Sequence, residues 1–83
     1  MKSFNELVKE ELIKSRQKHG PVTSVHEGYA VILEELDEVW EEVKKKTENR
    51  DLDNLLKELV QVSTTAQKMA EDIVMPRIID EKK

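Results

Sequence analysis

The chain has no cysteine, which excludes a disulfide scaffold and a thiolate-ligated zinc site. Two glycines, two prolines and three aromatic residues (Phe4, Tyr29, Trp40) leave little material for a turn-rich or collagen-like chain. No apolar run approaches the ~20 residues that a membrane-spanning helix needs. The start, Lys2-Ser3-Phe4-Asn5-Glu6, has no apolar core of a secretory signal, so the expected location is cytoplasmic, with no membrane partner. A basic surplus is also missing: 14 Lys and Arg stand against 18 Asp and Glu, a net charge of -4. That balance argues against a sequence-independent nucleic-acid binder. Eighty-three residues suffice for one small domain spanning 1–83. A chain this short buries only a little over ~60% of its extended surface, so a partner subunit would add considerably to its stability.

What is abundant is charge, and it is unevenly placed. From Ser24 to Val43 there are seven carboxylates (Glu27, Glu34, Glu35, Asp37, Glu38, Glu41, Glu42) and no Lys or Arg, giving -7; the other 11 acids and 14 bases give +3. Long runs of Glu, Lys, Leu and Val favour helix nearly throughout. Ser3 with Glu6 forms a capping box, and His19-Gly20-Pro21 supplies a stop, predicting a helix over 3–18. Ser24 with Glu27 repeats the capping signature and opens a helix over 24–47. Its stripe of Tyr29, Ile32, Leu33, Leu36, Trp40 and Val43 is expected to face the core. Asp51 or Asp53 caps a third helix, with Leu52, Leu55, Leu56, Leu59, Val62, Ala66, Met69, Ala70 and Ile73 on its apolar side, and Pro76 is expected to end it. Residues 77–83 then form a tail in which Ile78 and Ile79 could dock. Ser63, Thr64 and Thr65 are small enough to let another helix approach closely.

The expected fold is all-α, a small bundle of three main helices with successive helices antiparallel. The second helix also carries Val31 and Val39 away from its main stripe. Apolar residues on both sides imply cover on both sides, hence a bundle completed by oligomerisation.

The acids of the second helix are not the mixed face of an ordinary solvated helix. On the first helix Glu6 and Glu10 are matched by Lys9 and Lys14, whereas the second has six like-charge pairs at i+3 or i+4. At ~0.2 to 0.5 kcal/mol each, these repulsions disfavour the isolated helix by roughly 1 to 3 kcal/mol. A divalent cation would offset them. Glu35 and Glu38 emerge one turn apart on one face, and Glu58 and Gln61 take matching angles on the third helix. If the two helices lie side by side, the pairs converge, which is how helical bundles build carboxylate metal sites. Lys44-Lys45-Lys46 reads first as compensation of the negative helix end, and His19 as a partner for carbonyls of the first helix.

Glu34-Glu35-Leu36-Asp37-Glu38 followed, after 19 residues, by Glu58-Leu59-Val60-Gln61 resembles the E-E-x-x-E and E-x-x-D signature of the MazG-like all-α nucleoside triphosphate pyrophosphohydrolases, over about residues 24–75. The resemblance implies hydrolysis of an NTP or dNTP to the monophosphate and pyrophosphate by a homodimer or homotetramer. It implies Mg²⁺ held by Glu35, Glu38, Glu58 and Gln61, with Glu34 nearby as an outer ligand-supporting group or the water-orienting base; Lys57 and Lys68, which read as exposed-face residues, are the substrate-binding candidates that could reach phosphate. Gln61 departs from the family's Asp: an amide oxygen can ligate Mg²⁺ but brings no charge and no base. That departure keeps open a second expectation, a non-catalytic helical binding or assembly module retaining the family fold.

Overall fold

The computed structural model describes residues 1–82. Three main helices, α1 (Phe4–His19), α2 (Val25–Val43) and α3 (Leu52–Met69), are followed by one wide π turn over Ala70–Val74 and a short α4 (Met75–Glu81). No strand occurs among the described residues, so the architecture is all-α. α3 is central: it packs along α2 on one side and α1 on the other, and α1 and α2 meet mainly through it.

Local chemistry sets most helix starts. Ser3 accepts from the Glu6 amide while Glu6 reaches back to the Ser3 amide, a complete capping box. Ser24 accepts from the Glu27 amide at 3.0 Å, but the Glu27 carboxylate bonds Thr23 and not Ser24, so only half of the second box forms. Asp51 caps α3 by accepting from the Asn54 amide. Gly20 ends α1 with φ 71°, a conformation that glycine adopts without steric cost.

Three boundaries and one face differ from expectation. α2 stops at Val43, not near residue 47, because Arg50 folds back and donates to the carbonyls of Val43 (2.7 Å) and Lys45 (2.8 Å), satisfying the groups a longer helix would have used. Pro76 does not end the helical path. The π turn precedes it and a new helix begins at Met75, which puts Pro76 in a first turn where no amide hydrogen is required. Residues 77–81 therefore continue α4, with Ile78 and Ile79 exposed and undocked; Lys83 lies outside the described residues.

The face of α2 turned toward α3 is Gly28, Ile32, Glu35, Val39 and Glu42, all buried or half-buried. Tyr29, Leu33, Leu36, Trp40 and Val43, expected in the core, lie outward, with Trp40 58% and Tyr29 63% exposed. Gly28 permits the close approach, since a Cβ there would stand 2.7 Å from Met69 Sδ. Among the described residues the buried apolar side chains are Val8, Val22, Val60 and Ile73. Thr64 is buried among them, its hydroxyl donating to the Val60 carbonyl at 2.8 Å. The radius of gyration is 14.7 Å, against about 12 Å for a compact chain of this length, so the single chain is elongated and thinly cored.

Glu42 fixes the α2–α3 corner. It is 2% exposed and accepts from Lys45 Nζ (2.9 Å), the Asp51 amide and Asn54 Nδ2 (3.2 Å). The Lys45 ammonium first, then the Asp51 amide, holds its carboxyl below the usual range. A depressed carboxylate stabilises above its unfolded pKa, and that contribution is lost as pH falls through the folded value. Glu42→Gln should therefore lower the melting temperature at pH 7. The gap from wild type should close as pH drops below about 4.5 in thermal melts.

Candidate metal centre

Because α2 presents Glu35 to α3, the acidic and polar pairs of the two helices meet. Glu35 and Glu38 come from α2, Glu58 and Gln61 from α3, and with Glu34, Lys57 and Val31 they line one open cavity of about 310 Å³. The convergence expected from helical spacing is thus present, and the candidate base Glu34 and cation Lys57 share the same cavity. Lys68 does not. It sits two turns farther along α3, is 6% exposed, and lines a neighbouring cavity that shares Glu35 and Gln61 with the acidic one.

The electrostatics are those of crowded carboxyls with one cation, Lys57, beside them. Glu35 Oε1 and Glu58 Oε2 are buried with no hydrogen-bond partner. Burial, followed by the charges of Glu38, Glu58 and Glu34, raises the Glu35 pKa, with the Thr65 hydroxyl opposing. The Glu58 pKa is raised first by contact with the Glu38 carboxyl, where a shared proton can bridge the two, and then by burial, with Lys57 opposing. Hard oxygen donors crowded in this way are chemically suited to a hard divalent cation, whose charge would offset the burial and repulsion that raise their pKa values.

The arrangement stops short of a closed chelate. Among the described residues no three acidic or histidine side chains are gathered to hold one ion. Gln61 Nε2 donates to Glu11 Oε1 at 2.8 Å, which commits the nitrogen end of the amide to α1 and makes its carbonyl oxygen the end a cation could use. Glu11 is the neighbour that sequence reasoning missed, since nothing in the mixed Lys and Glu pattern of α1 distinguishes it from Glu10. Asp72 takes no part: Arg16 pairs with it at 3.0 Å and the Val22 amide donates to it at 2.9 Å.

The raised carboxyls give a signed test. A carboxyl whose folded pKa lies above its unfolded value costs stability once ionised, so this penalty is absent below about 4.5 and grows as pH rises from there through the folded values. Glu35→Gln should raise the melting temperature at pH 7 in metal-free buffer and change it little at pH 4. A Glu35→Gln protein that melts below wild type at pH 7 would show that the ionised carboxylate is stabilising. Comparison of the chain with family models, with curated proteins and with solved structures finds no significant match.

Proposed function

We propose that the chain is a MazG-like, Mg²⁺-dependent pyrophosphohydrolase that converts a nucleoside triphosphate to the monophosphate and pyrophosphate. The observation that carries this reading is the convergence of Glu35, Glu38, Glu58 and Gln61 on one cavity, with two buried carboxylate oxygens left without partners. Those four residues would hold the cation. When bound, it would supply charge neutralisation for the phosphates and a polarised phosphorus for attack by water. Glu34, exposed on the rim, would orient that water and receive its proton, and Lys57 adds a positive charge beside the same cavity.

The expected outcome is Mg²⁺-dependent release of pyrophosphate from at least one member of a panel of NTPs and dNTPs, abolished by Glu38→Ala. Release from no substrate, or release indifferent to Glu38→Ala, overturns the enzymatic reading. Mg²⁺ at 100 times its Kd adds about 2.7 kcal/mol of stability, roughly 10 to 20 °C in melting temperature for a domain of this size. That shift should vanish in Glu35→Gln. One observation favours a second reading, a non-catalytic binding or assembly module: Gln61 stands where the family has Asp, and its amide is tied to Glu11. Mg²⁺ stabilisation without turnover would select it.

The outward stripe of α2 supports assembly. Tyr29, Leu33, Leu36 and Trp40 form an exposed apolar face on a chain that buries four apolar residues among those described. We assign this face to contact with a second copy in a homodimer or homotetramer in the cytoplasm. Sedimentation should give a multiple of 9.7 kDa for wild type and 9.7 kDa for Leu36→Glu/Trp40→Glu. A monomeric wild type would overturn it.

A further inference from the structure

α4 has little of its own chain beside it. α2 and α3 run antiparallel: Glu42 meets Asn54 at one end, Gly28 meets Met69 toward the other, and the Val22 amide reaches Asp72 just before α2 begins. Past that turn the path of α3 carries on alone. α4 (Met75–Glu81) overhangs the bundle by about 10 Å and packs chiefly against the π turn that leads into it. An extension facing only water is expected to be polar, yet Val74, Met75, Ile78 and Ile79 are apolar and exposed.

The π turn decides which way those residues point. Along α3 exposed apolar positions recur every seven residues, at Leu52, Leu59 and Ala66, a spacing that keeps them on one side of an α-helix. Position 73 would be next, but Ile73 is buried and Val74 is exposed. The Met75 amide donates to the Ala70 carbonyl, five residues back, so this turn takes one residue more than an α turn and sets everything after it back by about 100°. Val74 and Ile78 thereby fall in line with Leu52, Leu59 and Ala66, whereas an unbroken α-helix would swing Met75, Ile78 and Ile79 about 100 to 200° away. Pro76 requires a break, which ending the helix would also have met; the kept register is what the π turn adds.

The stripe of α2 lies on this side too. On both helices an exposed apolar residue directly follows a residue of the mutual contact: Tyr29 after Gly28 and Leu36 after Glu35 on α2, Leu59 after Glu58 and Ala66 after Thr65 on α3. In an antiparallel pair the same sense of rotation brings both stripes to one side.

We propose that this side of the α2–α3 pair receives a second copy of the chain, and that α4, kept in line by the π turn, is an arm that extends the contact beyond the bundle. The arm presupposes the homo-oligomer proposed above and adds a segment to its interface. Area favours this occupant. Tyr29, Leu33, Leu36 and Trp40, each about half exposed, offer roughly 400 Å², half of the ~800 Å² that each partner of a stable interface buries. Leu52, Leu59 and the four apolar residues of the overhang supply about as much again. In a two-fold dimer both copies present the same surface, so each arm meets the other chain.

Sedimentation of the full chain over a concentration series tests the arm. Ile78→Glu/Ile79→Glu should weaken self-association at least tenfold with the helical circular dichroism unchanged, since neither side chain enters the core. One alanine inserted after Val74 turns α4 by about 100° with every apolar residue retained, and should weaken association to a similar degree. Because the chain has no cysteine, Ile79→Cys is a unique attachment point for a benzophenone, whose photoproduct should be a covalent dimer. An oligomer broken by Leu36→Glu/Trp40→Glu but indifferent to Ile78→Glu/Ile79→Glu, or a label that joins only to its own chain, would overturn the arm and leave the α2 face standing. Association undisturbed by the insertion would overturn the part given to the π turn, and a monomeric wild type would remove arm and α2 face together.

Discussion

One rotation of α2 about its axis decides the rest of the structure, and the buried Glu42 carboxylate sets it. Donors from Lys45, Asp51 and Asn54 converge on that side chain at the α2–α3 corner, so residue 42 must face α3. In a helix, positions seven apart lie within about 20° of each other. Turning Glu42 inward therefore turns Glu35 inward, and Gly28 after it. Glu35 is thereby delivered to the acidic cavity, and Gly28 to the contact with Met69. The same rotation sends Tyr29, Leu36 and Val43, each one residue onward and about 100° away, to the outside. Corner, cavity and exposed apolar stripe are three consequences of one constraint.

This division also resolves the -7 of the second helix. Glu42 is consumed by the corner, Glu41 pairs with Lys44 at 2.9 Å, and Glu27 bonds Thr23 at the helix start. The remaining acids, Glu34, Glu35, Asp37 and Glu38, are clustered in the middle of the helix, where Glu58 from α3 adds to them. Three acids thus do structural work at the two ends. The unmatched charge is confined to the segment that lines the cavity.

The helix starts were legible because caps are local: Ser3, Ser24 and Asp51 accept from amides three residues on, and a sequence window contains both partners. The approach of Glu35 and Glu38 to Glu58 and Gln61 was legible for a similar reason, since i and i+3 positions travel together wherever their helix is placed. The inward face of α2 was not legible. Both of its faces carry apolar residues, and the deciding contacts to Glu42 come partly from Asp51 and Asn54, beyond the helix. Hydrophobicity favours the stripe with Trp40, and tertiary hydrogen bonding selected the other. The end of α2 was misplaced because its carbonyls are satisfied by Arg50, a residue that reads as loop. Pro76 misled because a π turn before it removed the conflict that a proline normally creates.

α1 illustrates how a helix with a weak apolar pattern can still position a site. Its apolar contribution to the core is Val8, helped by half-buried Leu7 and Leu12. Farther along, its inward contacts are polar: Glu11 to the Gln61 amide, Ser15 to the Lys68 ammonium and Arg16 to Asp72. Each of these contacts engages a side chain of α3 or of the turn that follows it. Glu11 fixes the end of the Gln61 amide available to the acidic cavity, Ser15 anchors Lys68 at the wall of the second, and Arg16 removes the carboxylate that would have neutralised Lys68. Polar contacts contribute less net stability than apolar burial of similar extent. They are directional, however, and direction is what two adjoining polar cavities require. The thin core and the specific polar face of α1 are therefore connected: the helix is held where it is by the groups it aims.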